Sequence, residues 1–168
     1  ADLTHPGKVL QTLNDMLAKE MPENEFITLI YAVVNLNENS FVLANAGHPF
    51  PVYYSARTRK HEIWNIPGGM ALGLQENKDY PISTKSVSVG DKIIFYTDGL
   101  TEAMNADSRE FGEEALKTLV DQHGHKSPSE IIQIMSDAVG EHRGNHEVSD
   151  DFALLVATFA GMDFPKAK

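Results

Sequence analysis

The order of elements along the chain predicts an α+β fold built on a mostly antiparallel sheet system. Three observations carry this expectation. One amphipathic helical stretch opens the chain. About seven short strand-like runs follow, with two further helical stretches inserted before the last run. Two early runs, separated by Asn37-Glu38-Asn39, read as a hairpin. No internal repeat, low-complexity segment or interdomain linker interrupts residues 1–168, which read as one domain with a tail over 161–168.

Residues 4–21 place Val9, Leu10, Leu13, Met16 and Leu17 on one helical face. Thr4 is the expected N-cap, with Pro6 in the first turn and Pro22 just past the end. Residues 26–35 are rich in β-branched and aromatic side chains and read as a strand, with 40–45 as its return. Gly47-His48-Pro49 breaks the return strand. Residues 51–55 and 61–66 continue as strands around a basic turn at 57–60. The glycine-rich stretch 67–74 reads as a loop. Residues 80–89 alternate through Ile82, Val87 and Val89, which predicts a strand with one polar face. After a turn at Gly90-Asp91, Ile93 to Tyr96 form an apolar run that reads as a buried strand. Residues 113–123 read as a helix with Leu116, Leu119 and Val120 inward. Ser127-Pro128-Ser129-Glu130 has capping-box spacing and opens a second helix to about residue 141, with Ile131, Ile132, Met135 and Val139 apolar. Residues 142–149 read as a polar loop, and 152–159 as the final strand.

Composition narrows the function. The chain is 42% hydrophobic and 23% charged, with a formal net charge of −10. At this length a domain buries roughly 70% of its unfolded surface. So acidic a domain repels a phosphate backbone, which argues against nucleic-acid binding. There are no cysteines, which excludes disulfides, thiolate metal sites and a cysteine nucleophile. No apolar run reaches the roughly 18 residues of a membrane span, and no signal peptide is visible.

The chemistry gathers at two places. The strand ending at Tyr96 runs into Thr97-Asp98-Gly99, a sharp turn that holds a carboxylate at the strand's end. A helix-compatible segment follows, with Glu102 inside it. Far downstream, Ser149-Asp150-Asp151 precedes the last strand. If the two strands pair antiparallel, their carboxylates meet at one sheet edge, where a hard divalent cation finds oxygen ligands. From the residues alone, Asp98 is either such a ligand or a turn residue capping its own backbone. Gly99 permits the close turn that leaves the carboxylate free. Asp150 and Asp151 are adjacent, so on an extended chain they point to opposite sides and only one aims into a given site.

At these residues the chain resembles the metal-dependent (PPM, type 2C-like) protein serine/threonine phosphatases, in the bacterial branch that includes SpoIIE and RsbU. YTDGLTEAMN and SDDFALLVATF carry the resemblance, with FITLIYAVVN, ANAGHPFPVYY and GDKIIFYTDG in the same order, across about residues 6–160. The resemblance implies two antiparallel sheets packed face to face with helices outside. It implies metal ligation at Asp98, with Gly99, and at Asp150. It leaves Asp151, Glu102, Thr97 and His48 as supporting or structural groups. It also implies Mn²⁺ or Mg²⁺ as cofactor, two ions in the intact domain, and hydrolysis of phosphoserine or phosphothreonine on a regulatory protein of the anti-sigma-factor-antagonist type. The expected setting is the cytoplasmic output domain of a bacterial signalling protein.

One family block, of Gly-Asp-Val-Ser-Gly-His-Gly type, has no counterpart here. The expectation is therefore a domain truncated at its N-terminal side, with weak or no metal binding and little activity of its own. The alternative is a non-catalytic, phosphatase-like binding module. A missing block is also expected to uncover Val9, Leu13 and Leu17, or an edge strand, and so to favour a homodimer. Other constellations read as structural. His48 is expected to hydrogen-bond to backbone at a strand break. His142 and His146 have i, i+4 spacing, but Gly144 lies between them. Gly68, Gly69 and Gly73 lack a nucleotide-binding pattern, and residues 105–114 lack the calcium-loop ligand series.

Overall fold

The computed structural model describes residues 2–145 and 152–161. Helix α1 (Pro6–Glu20) is followed by strands β1 (Leu29–Asn35), β2 (Ser40–Ala46), β3 (Val52–Ser55), β4 (Lys60–Ile63), β5 (Gly68–Gly69), β6 (Ile82–Ser86) and β7 (Lys92–Tyr96). Helices α2 (Asp98–Thr101), α3 (Glu113–His123) and α4 (Pro128–Arg143) precede strand β8 (Leu154–Thr158). The fold is α+β with two four-stranded, mostly antiparallel sheets. The described residues fall into two compact units. One is formed by 2–48 and 65–87, the other by 49–64 and 88–161.

In the first unit, β2 is the central strand. It pairs antiparallel with β1 from Leu29↔Ala46 to Asn35↔Ser40, and with β6 on its other side. The turn between β1 and β2 is held by the Asn35 side chain, whose Oδ1 accepts from the backbone N–H groups of Asn37 and Glu38. The glycine stretch expected to be loop contributes a two-residue parallel strand, with Asn45↔Gly68 and Ala46↔Gly69. Helix α1 covers this sheet. Leu10 is fully buried with Ala44, Ala46, Leu72 and Tyr80, and Leu13, Leu17, Leu29 and Tyr31 pack around them. Burying a leucine of this kind contributes about 2 kcal/mol. Val9 is also buried. So Val9 is buried within its own unit, while Leu13 and Leu17 are partly buried against the same core.

Helix α1 departs from the sequence reading in two ways. Its N-cap is His5, whose ring Nδ1 accepts from Lys8 N, while Thr4 is engaged by Asp2. On the apolar face, Met16 is 59% exposed and Asn14 is fully buried. Asn14 Nδ2 donates to the Gln75 carbonyl at 2.9 Å, and its Oδ1 accepts from Gly73 N at 3.1 Å. A buried amide satisfied on both sides is tolerated where an unpaired one is costly. In β6 and beyond, Ile82 and Val89 are exposed and only Val87 is buried. That alternation does not mark one inward face.

In the second unit, the strand order is β4-β3-β7-β8, antiparallel throughout. Helices α3 and α4 supply the apolar layer against it. Leu116, Val120, Ile131, Met135 and Val139 are buried with Val52, Tyr54, Ile94 and Tyr96. Helix α3 has the bounds its sequence predicts, and Leu119 packs at the edge of this core. The capping box at Ser127 and Glu130 is present in full. Ile132, one of the four apolar positions of this helix, is at the surface. Gly124 is required by close approach, because a Cβ there would run into the Tyr54 ring. Among the described residues, no helix is long and apolar enough to cross a membrane.

Candidate active site

The site is built from the end of β7. Ile93 and Ile94 are almost fully buried, and the strand runs out at Tyr96. Thr97 stands at the N-cap of α2, a single turn over Asp98–Thr101. Leu100 N donates to the Thr97 carbonyl, and Glu102 N donates to the Asp98 carbonyl at 2.8 Å. Glu102 is therefore the C-cap of a very short helix, not a residue within a longer one as its sequence suggests. Its side chain is exposed.

Asp98 is exposed, while Gly99 and Leu100 beneath it are buried. Gly99 N donates to Asp98 Oδ1 at 3.0 Å. Among the described residues, Oδ2 accepts no hydrogen bond and no cationic side chain pairs with the carboxylate. A hard oxygen donor held at a turn and left unspent suits Mn²⁺ or Mg²⁺. Tyr96, two residues before it, is a wall rather than an acid or base. Burial, with Glu113 adding to it, pushes its phenol up to about 12.

The partner strand arrives where the sequence argument requires. β7 and β8 are antiparallel, with Tyr96↔Leu154 the last pair. Beyond it, Thr97 N donates to the Ala153 carbonyl at 3.1 Å. Ala153 N donates back to Thr97 Oγ1 at 2.8 Å. The C-terminal end of β7 and the start of β8 thus share one edge of the sheet, and the Thr97 hydroxyl fastens them. This clamp is a local role for Thr97 that sequence reading left undefined. Asp150 and Asp151 lie outside the described residues. Among the described residues, no three His, Asp or Glu side chains gather into a metal-holding group.

His48 sits in the other unit. Its ring Nδ1 lies 3.0 Å from Thr28 Oγ1, and its backbone N–H and carbonyl both bond to the Asn45 side chain, at 2.8 and 2.9 Å. The strand break at Gly47, with φ of 70°, is thereby closed by Asn45. His142 does not face a histidine partner among the described residues. It bonds to the Arg109 carbonyl. Asn105 Oδ1 accepts from Asp107 N and Arg109 N, so in the stretch read for calcium it is occupied by its own loop.

β7 thus ends in an exposed aspartate and pairs antiparallel with β8, the placement that the resemblance to the PPM-type phosphatases led one to expect. Residues 1–160 match the family model described as stage II sporulation protein E (SpoIIE), and the chain belongs to that family. It is 29% identical over 154 residues to phosphoserine phosphatase RsbU of Bacillus subtilis, covering 90% of this chain and 44% of that protein. Among solved structures, its fold is similar to the SiaA-PP2C domain of Pseudomonas aeruginosa. The TM-score is 0.79 at 17% identity, over 93% of this chain and 61% of that one. It is also similar to the phosphatase domain of the cell fate determinant SpoIIE from Bacillus subtilis, in a manganese-presoaked form. There the TM-score is 0.66 at 17% identity, over 95% of this chain and 68% of that one. The chain thus spans less than half the length of RsbU.

Proposed function

We propose that this chain forms part of a metal-dependent protein serine/threonine phosphatase. Its substrate would be phosphoserine or phosphothreonine on a regulatory protein of the anti-sigma-factor-antagonist type. The observation that carries the reading is the unspent Asp98 carboxylate at the end of β7, beside the start of β8. Family membership and the likeness to RsbU support the reaction class. Asp98 is one ligand in this reading. Asp150, three residues before the Thr97–Ala153 clamp, is the second. Gly99 keeps the turn tight, and Thr97 holds the two strand ends together. When bound, Mn²⁺ or Mg²⁺ supplies Lewis acidity toward a phosphate monoester and the attacking water. The manganese treatment of the related SpoIIE domain supports this choice of metal. Asp151 is a supporting or turn residue in this reading, and Glu102, exposed at the C-cap of α2, is available to orient a bound water. A homodimer, in this reading, forms by pairing of open edge strands, since β1 and β8 each end a sheet order. A clean monomer by light scattering at high concentration would rule it out.

The test is hydrolysis of a phosphoserine protein with Mn²⁺, by this chain and by a version extended upstream. We expect activity in the longer form, lost on Asp98→Asn, and little in this chain. Equal activity in both would show that no further carboxylate is needed. Inactivity of both, with retained binding of the phosphoprotein, would favour a binding module.

A further inference from the structure

The geometry points to His142 as a positioning residue that couples the Asp98 turn to the C-terminal end of α4. The inference rests on the phosphatase reading above. His142 lies in the last turn of α4 and is only half-buried, yet it reaches across 33 positions of sequence. Its Nε2 donates to the Arg109 carbonyl at 2.9 Å. Its ring meets Phe111 edge-on, with centroids 5.6 Å apart and planes at 77°. Phe111 in turn packs against the apolar core of this unit.

What His142 grips is a folded-back loop that grows directly out of α2. Gly112 N donates to the Thr101 carbonyl at 2.8 Å, and Phe111 N to the Ala103 carbonyl at 2.9 Å. Asn105 N donates to the same Arg109 carbonyl at 3.0 Å. The Asn105 side chain closes the tip by accepting from Asp107 N and Arg109 N. The two strands of the loop therefore carry any displacement at Arg109 back to Thr101. That residue lies one turn from Asp98, to whose carbonyl its hydroxyl donates at 3.1 Å. On the other side, α4 ends at Arg143, and the chain continues in sequence toward Asp150.

A one-turn helix cannot fix a metal ligand by itself, because too few internal hydrogen bonds resist fraying. The 103–111 loop lends α2 its rigidity, and His142 is the side chain that ties the loop to a sixteen-residue helix. The contact is made by a ring nitrogen to a backbone oxygen. A glutamine amide reaches a similar distance and restores the hydrogen bond without the ring.

The experiment compares His142→Ala, His142→Gln and Asp98→Asn, in whichever chain length is active in the assay above. Four quantities are read: Mn²⁺ affinity by electron paramagnetic resonance, hydrogen exchange of backbone amides over 101–112, and kcat and KM on the phosphoserine protein. We expect His142→Ala to weaken Mn²⁺ binding about three- to tenfold. It should also speed exchange over 101–112 and lower kcat more than it raises KM. His142→Gln should recover most of the Mn²⁺ affinity. A His142→Ala protein that melts earlier but binds Mn²⁺ as the wild type does would overturn the inference while leaving the phosphatase reading intact. Mn²⁺ affinity that is absent in the wild type, or unaffected by Asp98→Asn, would overturn both.

Discussion

Strand β7 has an aspartate just outside each end, and the two are opposites. Asp91, at the start, is only 3% exposed. Its carboxylate accepts from the Tyr53 hydroxyl at 2.5 Å, Ala56 N at 2.8 Å and Ser88 N at 2.7 Å. Asp98, at the far end, is exposed and accepts from Gly99 N alone among the described residues. A carboxylate whose lone pairs are taken by protein donors is committed to structure, and adding a cation would break bonds already made. A carboxylate with free lone pairs facing water can exchange that water for a metal at little cost. Position at a strand end does not distinguish the two. Their donor inventory does.

Exchanging each carboxylate for its amide breaks the comparison most directly. Asp98→Asn should lower turnover on the order of 10³-fold in the active form, because a neutral amide is a poor ligand for a hard cation. Its stability in urea should stay within about 0.5 kcal/mol of the wild type, as for most surface changes. Asp91→Asn should do the reverse. It leaves an NH₂ group facing N–H donors in a buried pocket, and should cost about 2–4 kcal/mol of stability. Per folded molecule, its activity should persist. If Asp98→Asn destabilised as much as Asp91→Asn, Asp98 would be a structural cap.

A finer cut comes from Tyr53, which donates to Asp91. Burial raises its phenol well above the ordinary range, and the Asp91 carboxylate raises it further. The hydroxyl therefore remains a donor across the working pH range. Tyr53→Phe removes one charge-assisted bond and leaves the other two, so about 1.5 kcal/mol should be lost in urea melts. An unchanged midpoint would mean that the two backbone donors already satisfy Asp91.

Much of this was legible in the sequence where the signal was local. The bounds of α3, the β1–β2 hairpin, the capping box at Ser127 and the buried run of β7 all follow from spacing within a few residues. The turn that leaves Asp98 exposed was legible because Asp-Gly after an apolar run is a local pattern too. What stayed hidden depends on partners far along the chain. Asn14 is buried because the backbone at 73 and 75 meets both sides of its amide, and no helical periodicity encodes that. Met16, two positions from the buried Asn14 and so on nearly the opposite side of the helix, faces water. Asp91 reads as an ordinary turn residue until Tyr53 and Ala56 are seen around it. Thr97 gains its role from Ala153, 56 positions away, and His142 from Arg109.

A third aspartate lies between the two extremes and yields the smallest expected effect. Asp121 on α3 accepts from His61 N at 2.9 Å, His61 Nδ1 at 2.8 Å and Lys60 Nζ at 3.3 Å. Its side chain is 27% exposed. Partial burial pushes its carboxyl up, but the hydrogen bonds from the His61 backbone and ring, with Lys60, outweigh this and hold it below the usual value. A carboxyl depressed in the folded state stabilises the fold above its unfolded value and loses that contribution as pH falls through the folded one. The loss therefore belongs below about pH 4, where unfolded aspartate itself titrates. Because water screens the group, it amounts to less than about 1 kcal/mol. Unfolding midpoints taken from pH 6 down to pH 3 should fall less steeply for Asp121→Asn than for the wild type, and the two curves should converge at the acid end. Parallel curves would place Asp121 with Asp98, as a carboxylate whose protein contacts contribute nothing to stability.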